Sequence, residues 1–464
     1  MKRKLSSLLL IFIIALAISS CAGREKLLFL NWGEYIDESL ITAFENKYNC
    51  DVVMDLGDSN EIFYSKVRAG TTVYDVICPS DYMVEKMYRN NMLLKIDFDK
   101  YGLTAYKNQE LIAPVKAIYE EMHKQTSDVD KENETISDYS TPYLCGTWGI
   151  MYSTEVSGLE NTIKNEKNSW SILFDRSKTP VGTKIAMYDS SIHAYYAACK
   201  YFEDEGLDFN TYEELPSSKL SQIKDLVKGV KFDAWGNDNI KKDIVAGNLD
   251  IGFMWTGDFL YYYCENATET VLNAYTNNDA KIDELINVLN EITKDDGEYN
   301  INGKSYSIGF DLFIPNDTIA FCDNLVISNQ SSNQELAHKF IDFMISNSIT
   351  VNDVEYTPAY SNTYYVDYNT PYLSVYNKII DLKYSNPETK ELLTLTQEDE
   401  DLFKEEIKST SISNTTLYST IYDYVTSIAF GKYYDKDIVK GNILSAFPRT
   451  YINSINTTFN NARA

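Results

Sequence analysis

Apolar and polar positions alternate in blocks along the first hundred residues. Lys26 to Leu30 carries the run Leu27-Leu28-Phe29-Leu30, the pattern of a buried parallel strand. Asp37 can cap a following helix whose Leu40, Ile41, Phe44 and Tyr48 fall on one face. Val52 to Leu56 reads as the next strand, and Ser59 as the start of a helix with Ile62, Phe63 and Val67 inward. Tyr74 to Cys78 is a third strand, stopped by Pro79, after which Ser80 caps a helix carrying Met83, Val84 and Met87. This order predicts a parallel sheet covered by helices, with ligands collecting beyond the carboxyl ends of the strands. Those ends are Asn31-Trp32-Gly33-Glu34-Tyr35, Gly57 to Asn60, and Pro79-Ser80-Asp81-Tyr82.

Further along, Lys116 to Ser140 turns polar and charged, the pattern of a surface excursion. Pro142 to Ser153 predicts a long strand able to cross between lobes, and Lys184 to Tyr188 opens another strand–helix unit. Strands are expected at Leu249 to Trp255 and Phe321 to Ser328, with a hairpin at Asn302-Gly303 and a helix from Gln334 to Ile345. The last ninety or so residues are polar and helix-like, without a motif.

The N-terminus changes the picture. Lys2, Arg3 and Lys4 precede an apolar run from Leu8 to Ile18, too short for a spanning helix, which needs about 20 residues. It fits a secretory signal over residues 1–20, and Ile18-Ser19-Ser20-Cys21 resembles the lipobox of bacterial lipoproteins. Cys21 would then carry the lipid and tether the protein outside the cell membrane. The chain of 464 residues exceeds what one core serves, so two lobes are expected. Its net charge of −26 repels nucleic acid and attracts cations. Six further cysteines are scattered without a C-x-x-C pair, and three histidines sit apart from them, so no metal site is expected. Cys78 and Cys322 lie in strand-like runs as core residues; disulfide formation is open.

The stretch Leu28-Phe29-Leu30-Asn31-Trp32-Gly33-Glu34-Tyr35 resembles the opening of the bacterial spermidine/putrescine-binding proteins. Tyr74-Asp75-Val76-Ile77-Cys78-Pro79-Ser80-Asp81-Tyr82 is similar to their second signature. Gly252-Phe253-Met254-Trp255-Thr256-Gly257-Asp258, Phe321-Cys322-Asp323-Asn324-Leu325 and, more weakly, Tyr356-Thr357-Pro358-Ala359 follow in family order. The resemblance implies an α/β, two-lobed, periplasmic-binding-protein-like fold. Each lobe would be a mostly parallel sheet covered by helices, closing over a polyamine for delivery to an ABC-transporter permease. The expected segments are residues 21–143 for the first lobe and 144–322 for the second, with an insertion at about 265–308. Residues 323–355 would return to the first lobe; 356–464 form a helical segment not assigned to either. A monomer without cofactor or nucleic-acid partner is expected.

A polyamine needs carboxylates at its ammonium groups and aromatic walls along its methylenes. Trp32, Tyr35 and Tyr82 would form walls from the first lobe, with Ser80 adding a hydrogen bond. Trp235 and Trp255 would wall the second lobe, with Asp258 and Asp323 as anchors. In Asp189-Ser190-Ser191-Ile192-His193, Ser190 and His193 stand where the family places carboxylates. His193 at an ordinary pKa would then make binding rise between about pH 5.5 and 7.5. Other readings are a lipoprotein for another organic cation, a surface adhesin of the same fold, and an extracellular hydrolase. Against the last, the chain has no G-x-S-x-G, H-E-x-x-H or phosphate loop.

Overall fold

The computed structural model describes residues 24–463, except 131–133, 166–168, 211–212, 238, 296, 316 and 445–446. The signal segment and Cys21 lie outside the described residues. Strand β1 (Glu25–Asn31) pairs in parallel with β2 (Cys50–Leu56) and β3 (Val76–Ile77), burying Leu27, Phe29 and Leu30. Helix α1 (Glu38–Tyr48) starts where the Asp37 carboxylate accepts the Ser39 N–H. In α2 (Asn60–Ala69) Ser59 does the same for Ile62, and Gly70 ends the helix in the left-handed region that glycine tolerates. Phe63 and Val67 face the core as the spacing predicts, but Ile62 is exposed. Helix α3 (Asp81–Arg89) follows β3, and β4 (Leu93–Leu94) closes this region.

The polar stretch expected as a surface excursion overlaps α4 (Ala113–Thr126). It buries Val115, Ile118 and Met122, and the Tyr119 phenol donates to Asn324 Oδ1 at 2.5 Å. The apolar residues recur at helical spacing beneath charged neighbours, so the stretch is polar in composition yet amphipathic in pattern.

The second half of the sheet uses β5 (Thr141–Ser153), β6 (Ile185–Tyr188), β7 (Ala234–Gly236), β8 (Ile251–Trp255), β9 (Phe310–Phe313) and β10 (Ala320–Ser328). The strand order is β2-β1-β3-β10-β5-β8-β6-β7, with β9 on β5 and β4 on β10. Two strands join the lobes. The Thr141–Thr147 half of β5 pairs with the Ala320–Leu325 half of β10, while Trp148–Tyr152 pairs with β8 and Val326–Ile327 with β3. The β5–β10 register shifts between Asp323 and Asn324. Beside them the Cys145 N–H donates to the Asn369 carbonyl.

Helices α5 (Ser191–Asp204), α6 (Ser217–Val230) and α7 (Asn239–Val245) cover the second lobe with α8 (Thr256–Thr276). Of the C-terminal helices, α9 (Thr416–Tyr433) packs on α8, and α10 (Arg449–Arg463) packs on α5 and α6. The hairpin expected at Asn302-Gly303 joins Tyr299–Ile301 to Lys304–Tyr306. Cys50, Cys78, Cys145, Cys199, Cys264 and Cys322 are buried free thiols. Among the described residues no helix is long and apolar enough to cross a membrane.

Candidate functional site between the lobes

The first wall begins where β1 ends. Glu34 takes a left-handed conformation (φ 51°), turning the chain so that Tyr35 is buried while Trp32 stays half-buried. The Trp32 ring stacks on Phe63 with centroids 4.3 Å apart. The Tyr35 phenol donates to Asp323 Oδ2 at 2.7 Å, and the Ser80 hydroxyl donates to Asp323 Oδ1 at 2.6 Å. Ser80 occupies the N-cap position of α3 but makes no side-chain cap bond, because its hydroxyl is spent on Asp323. Asn60 fixes Ser80 from both sides: its Nδ2 donates to Ser80 Oγ, and its Oδ1 accepts the Ser80 N–H, both at 3.0 Å. The Tyr82 phenol donates to Glu61 Oε1 at 3.2 Å.

Asp323 sits at the register shift of a crossing strand, so one carboxylate is held by two elements of the first lobe. Burial raises its pKa to about 6, against the hydrogen bonds from Ser80 and Tyr35, which lower it. Beside it, the buried Asp81 carboxylate accepts the N–H groups of Tyr82 and Cys322, at 2.6 and 2.8 Å. Burial raises Asp81 to about 8. Of the two, Asp323 is the carboxylate that ionises nearer neutrality, and a desolvated carboxylate favours a cation that replaces its lost hydration. Asn31, wholly buried at the end of β1, has no hydrogen-bond partner among the described residues for either amide atom, and the Trp32 indole N–H likewise has none.

The second wall gathers around Trp255 at the end of β8. Its ring meets Phe321 edge-on at 4.9 Å, His193 at 5.1 Å and Trp148 at 5.6 Å. His193, in the first turn of α5, also lies 5.0 Å from the Tyr188 ring, and its Nδ1 is 2.7 Å from Ser190 Oγ. Burial lowers its pKa to about 3. The titration expected of His193 near neutrality is therefore corrected: enclosed by four aromatic rings, the imidazole stays neutral across that range.

Asp258, in the first turn of α8, is paired with Lys241 of α7 at 2.9 Å. Next to it a Cβ on Gly257 would come within 2.1 Å of Tyr368 Cδ2, so the absence of a side chain admits the Tyr368 ring. Tyr368 lies 5.2 Å from Tyr35 and 6.1 Å from Phe321, linking both walls. Burial, and then the charge of Asp258, hold its phenol well above the ordinary range.

The structure thus joins Tyr35, Ser80 and Asp323 directly, and Trp255 with His193. Trp32, just after β1 and stacked on Phe63 of α2, and Tyr82 on α3 flank the first group. Trp235 stands apart on β7 beneath the Arg463 guanidinium, 3.8 Å from its ring centroid. Tyr368 and Lys241 were missed in the sequence, and Asn60 was placed only at a strand end without a role. Only the bare Gly257 beside an acid hinted that a ring approaches there.

The family model for bacterial extracellular solute-binding proteins matches residues 30–350. The putrescine/cadaverine-binding protein of Pseudomonas aeruginosa is 25% identical over 343 residues, covering 74% of this chain and 80% of that protein. The spermidine/putrescine-binding periplasmic protein 1 of Haemophilus influenzae is 24% identical over 250 residues, covering 52% and 59% respectively. Among solved structures, the spermidine/putrescine ABC transporter substrate-binding protein PotD of Streptococcus pneumoniae superposes with a TM-score of 0.52 at 19% identity, over 95% of this chain and 98% of that one. The Tp0655 (TpPotD) lipoprotein of Treponema pallidum gives 0.54 at 19%, over 95% and 99%. These likenesses share the two-lobed α/β fold, and with residues 30–350 matched the chain belongs to the bacterial extracellular solute-binding protein family.

Proposed function

We propose that this protein captures a polyamine outside the cell and presents it to the permease of an ABC transporter. One observation carries the reading: Asp323, a buried carboxylate, is oriented by Tyr35 and Ser80 at the strand that joins the lobes. Tyr368 and the Trp255 cluster complete an acid-and-aromatic lining suited to ammonium groups and methylenes. The names of the relatives, which bind putrescine, cadaverine or spermidine, support the same ligand class. The lobes would hinge where β5 and β10 cross, near residues 143–144 and 322–323. Lipidated Cys21 would hold the monomer at the membrane surface, and Cys21→Ser would then move it to the soluble fraction. The role is capture rather than catalysis.

Calorimetric titration with putrescine, cadaverine and spermidine tests the ligand. Saturable heat with at least one amine, lost in Asp323→Asn, is expected. No heat and no thermal shift with any of the three overturns the reading.

A further inference from the structure

The loop after β6 and the strand β7 hold a second acid-and-aromatic station. The Asp189 N–H donates to the Gly236 carbonyl at 2.8 Å, tying the ends of β6 and β7 together. This places the Asp189 carboxylate near the half-buried Trp235 ring. A carboxylate beside an indole face is the chemistry that holds an ammonium group. Here it already holds a cation: Arg463 Cζ lies 3.8 Å from the Trp235 ring centroid, and its Nη1 is 2.5 Å from Asp189 Oδ1.

The position of Arg463 is fixed by the helix that carries it. Tyr451, Ile455, Phe459 and Ala462 recur at helical spacing and are buried. The Tyr451 phenol oxygen accepts the Leu215 N–H at 2.7 Å and lies 3.1 Å from the Tyr195 phenol. The same helix α10 thus packs over α5, whose first turn carries His193. Register places Met187 opposite Trp235 and Tyr188 opposite Gly236. Asp189 directly follows Tyr188 in the chain, and Tyr188 touches His193 and Trp255.

We propose that Arg463 is a tethered stand-in for the distal ammonium of a long amine, so that the C-terminal helix restricts the cleft to short diamines. This rests on the polyamine reading and adds which amines are selected. Two contacts of opposite kind, one to the ring face and one to the carboxylate, occupy both features a third ammonium would need. A triamine must displace a guanidinium attached to a docked helix, whereas a diamine reaches Asp323 and the Trp255 cluster without doing so.

The test is calorimetric titration of wild type, Arg463→Ala, Arg463→Gln and Arg463→Lys with putrescine and spermidine. Removing the guanidinium should raise the ratio of spermidine to putrescine affinity about tenfold, the scale of one cation–π contact regained. Arg463→Lys, which retains a cation, should keep the ratio near that of wild type. Arg463→Gln preserves side-chain reach without charge, and it supplies the comparison if Arg463→Ala melts early. An unchanged ratio in the uncharged variants, with wild-type amine binding intact, overturns this inference alone. Absence of amine binding in every protein overturns it together with the polyamine reading.

Discussion

The Tyr35 phenol and the Asp323 carboxylate, 288 residues apart in sequence, meet at 2.7 Å. The bond links the turn after the first strand to the strand that carries the chain back from the second lobe. The Ser80 hydroxyl holds the other carboxylate oxygen, so neither oxygen can swing without breaking a hydrogen bond. An ionised group of this kind is costly to bury, and its orientation is set before a ligand arrives. Preorganisation of this sort reduces the ordering cost of binding.

Asp323→Asn should therefore weaken amine binding by about 2–5 kcal/mol, the range for truncating a buried charge partner. Tyr35→Phe removes one neutral donor while leaving the charge, and should cost about 1 kcal/mol. Titration calorimetry separates the two. A smaller loss for Asp323→Asn than for Tyr35→Phe would show that the carboxylate organises the turn and does not meet the amine.

The pH dependence follows from Asp323 and not from His193. If Asp323 anchors an ammonium, as proposed, it must be ionised to do so; burial raises its pKa to about 6, so amine affinity should rise from pH 5 to pH 7. The stability of the unliganded protein runs the other way. The folded state holds the proton more strongly than an unfolded aspartate, with pKa about 3.9. This group's contribution therefore increases as pH falls through about 6 and levels off below the unfolded value. Asp81, raised to about 8, adds to the trend at higher pH. His193→Gln should leave the affinity slope in place, since the imidazole is already neutral. Loss of the slope in that variant, measured by calorimetry at three pH values, would assign the titration to the histidine instead.

Much of the first lobe was legible because its signals are local. Asp37 and Ser59 cap the helices they precede, and the Asn302-Gly303 turn makes its hairpin. Ser80 shows the limit of such reading. Its position predicts a cap, yet its hydroxyl faces a carboxylate 243 residues away. Arg463 lies in a stretch without motif, and nothing local indicates that its helix end reaches Trp235. His193 has an ordinary sequence neighbourhood; its lowered pKa comes from rings on β5, β6 and β8 that only the fold assembles. Tyr368 was hidden for the same reason, since its partners Tyr35, Phe321 and Gly257 come from three separate elements.

Gly257→Ala tests the contribution of Tyr368. The added methyl would meet the ring at 2.1 Å, closer than any real contact, so the ring must leave its present place. Helix α8 itself favours alanine over glycine by about 1 kcal/mol, so folding should survive. The expected result is a near-native melting temperature with amine affinity reduced at least about tenfold, a step of about 1.4 kcal/mol. Native affinity in a folded Gly257→Ala would place Tyr368 outside the binding surface.

Lys241 and Asp258 pose the last question, because an anchor expected to meet the ligand already faces a lysine at 2.9 Å. The pair is partly buried, with side chains 13% and 24% exposed, so water screens it only in part. If Lys241 competes with the incoming ammonium, Lys241→Met should strengthen amine binding by about 1 kcal/mol, the scale of a single charge-assisted contact. The same change should lower the melting temperature of the unliganded protein, which loses the ion pair. Asp258→Asn should then cost less than Asp323→Asn, because its charge is already balanced. Thermal melts and titrations of the three variants decide between the roles. Weaker amine binding in Lys241→Met would mean that the lysine holds Asp258 in its productive orientation, and that the pair acts as a positioning unit rather than as competitor and anchor.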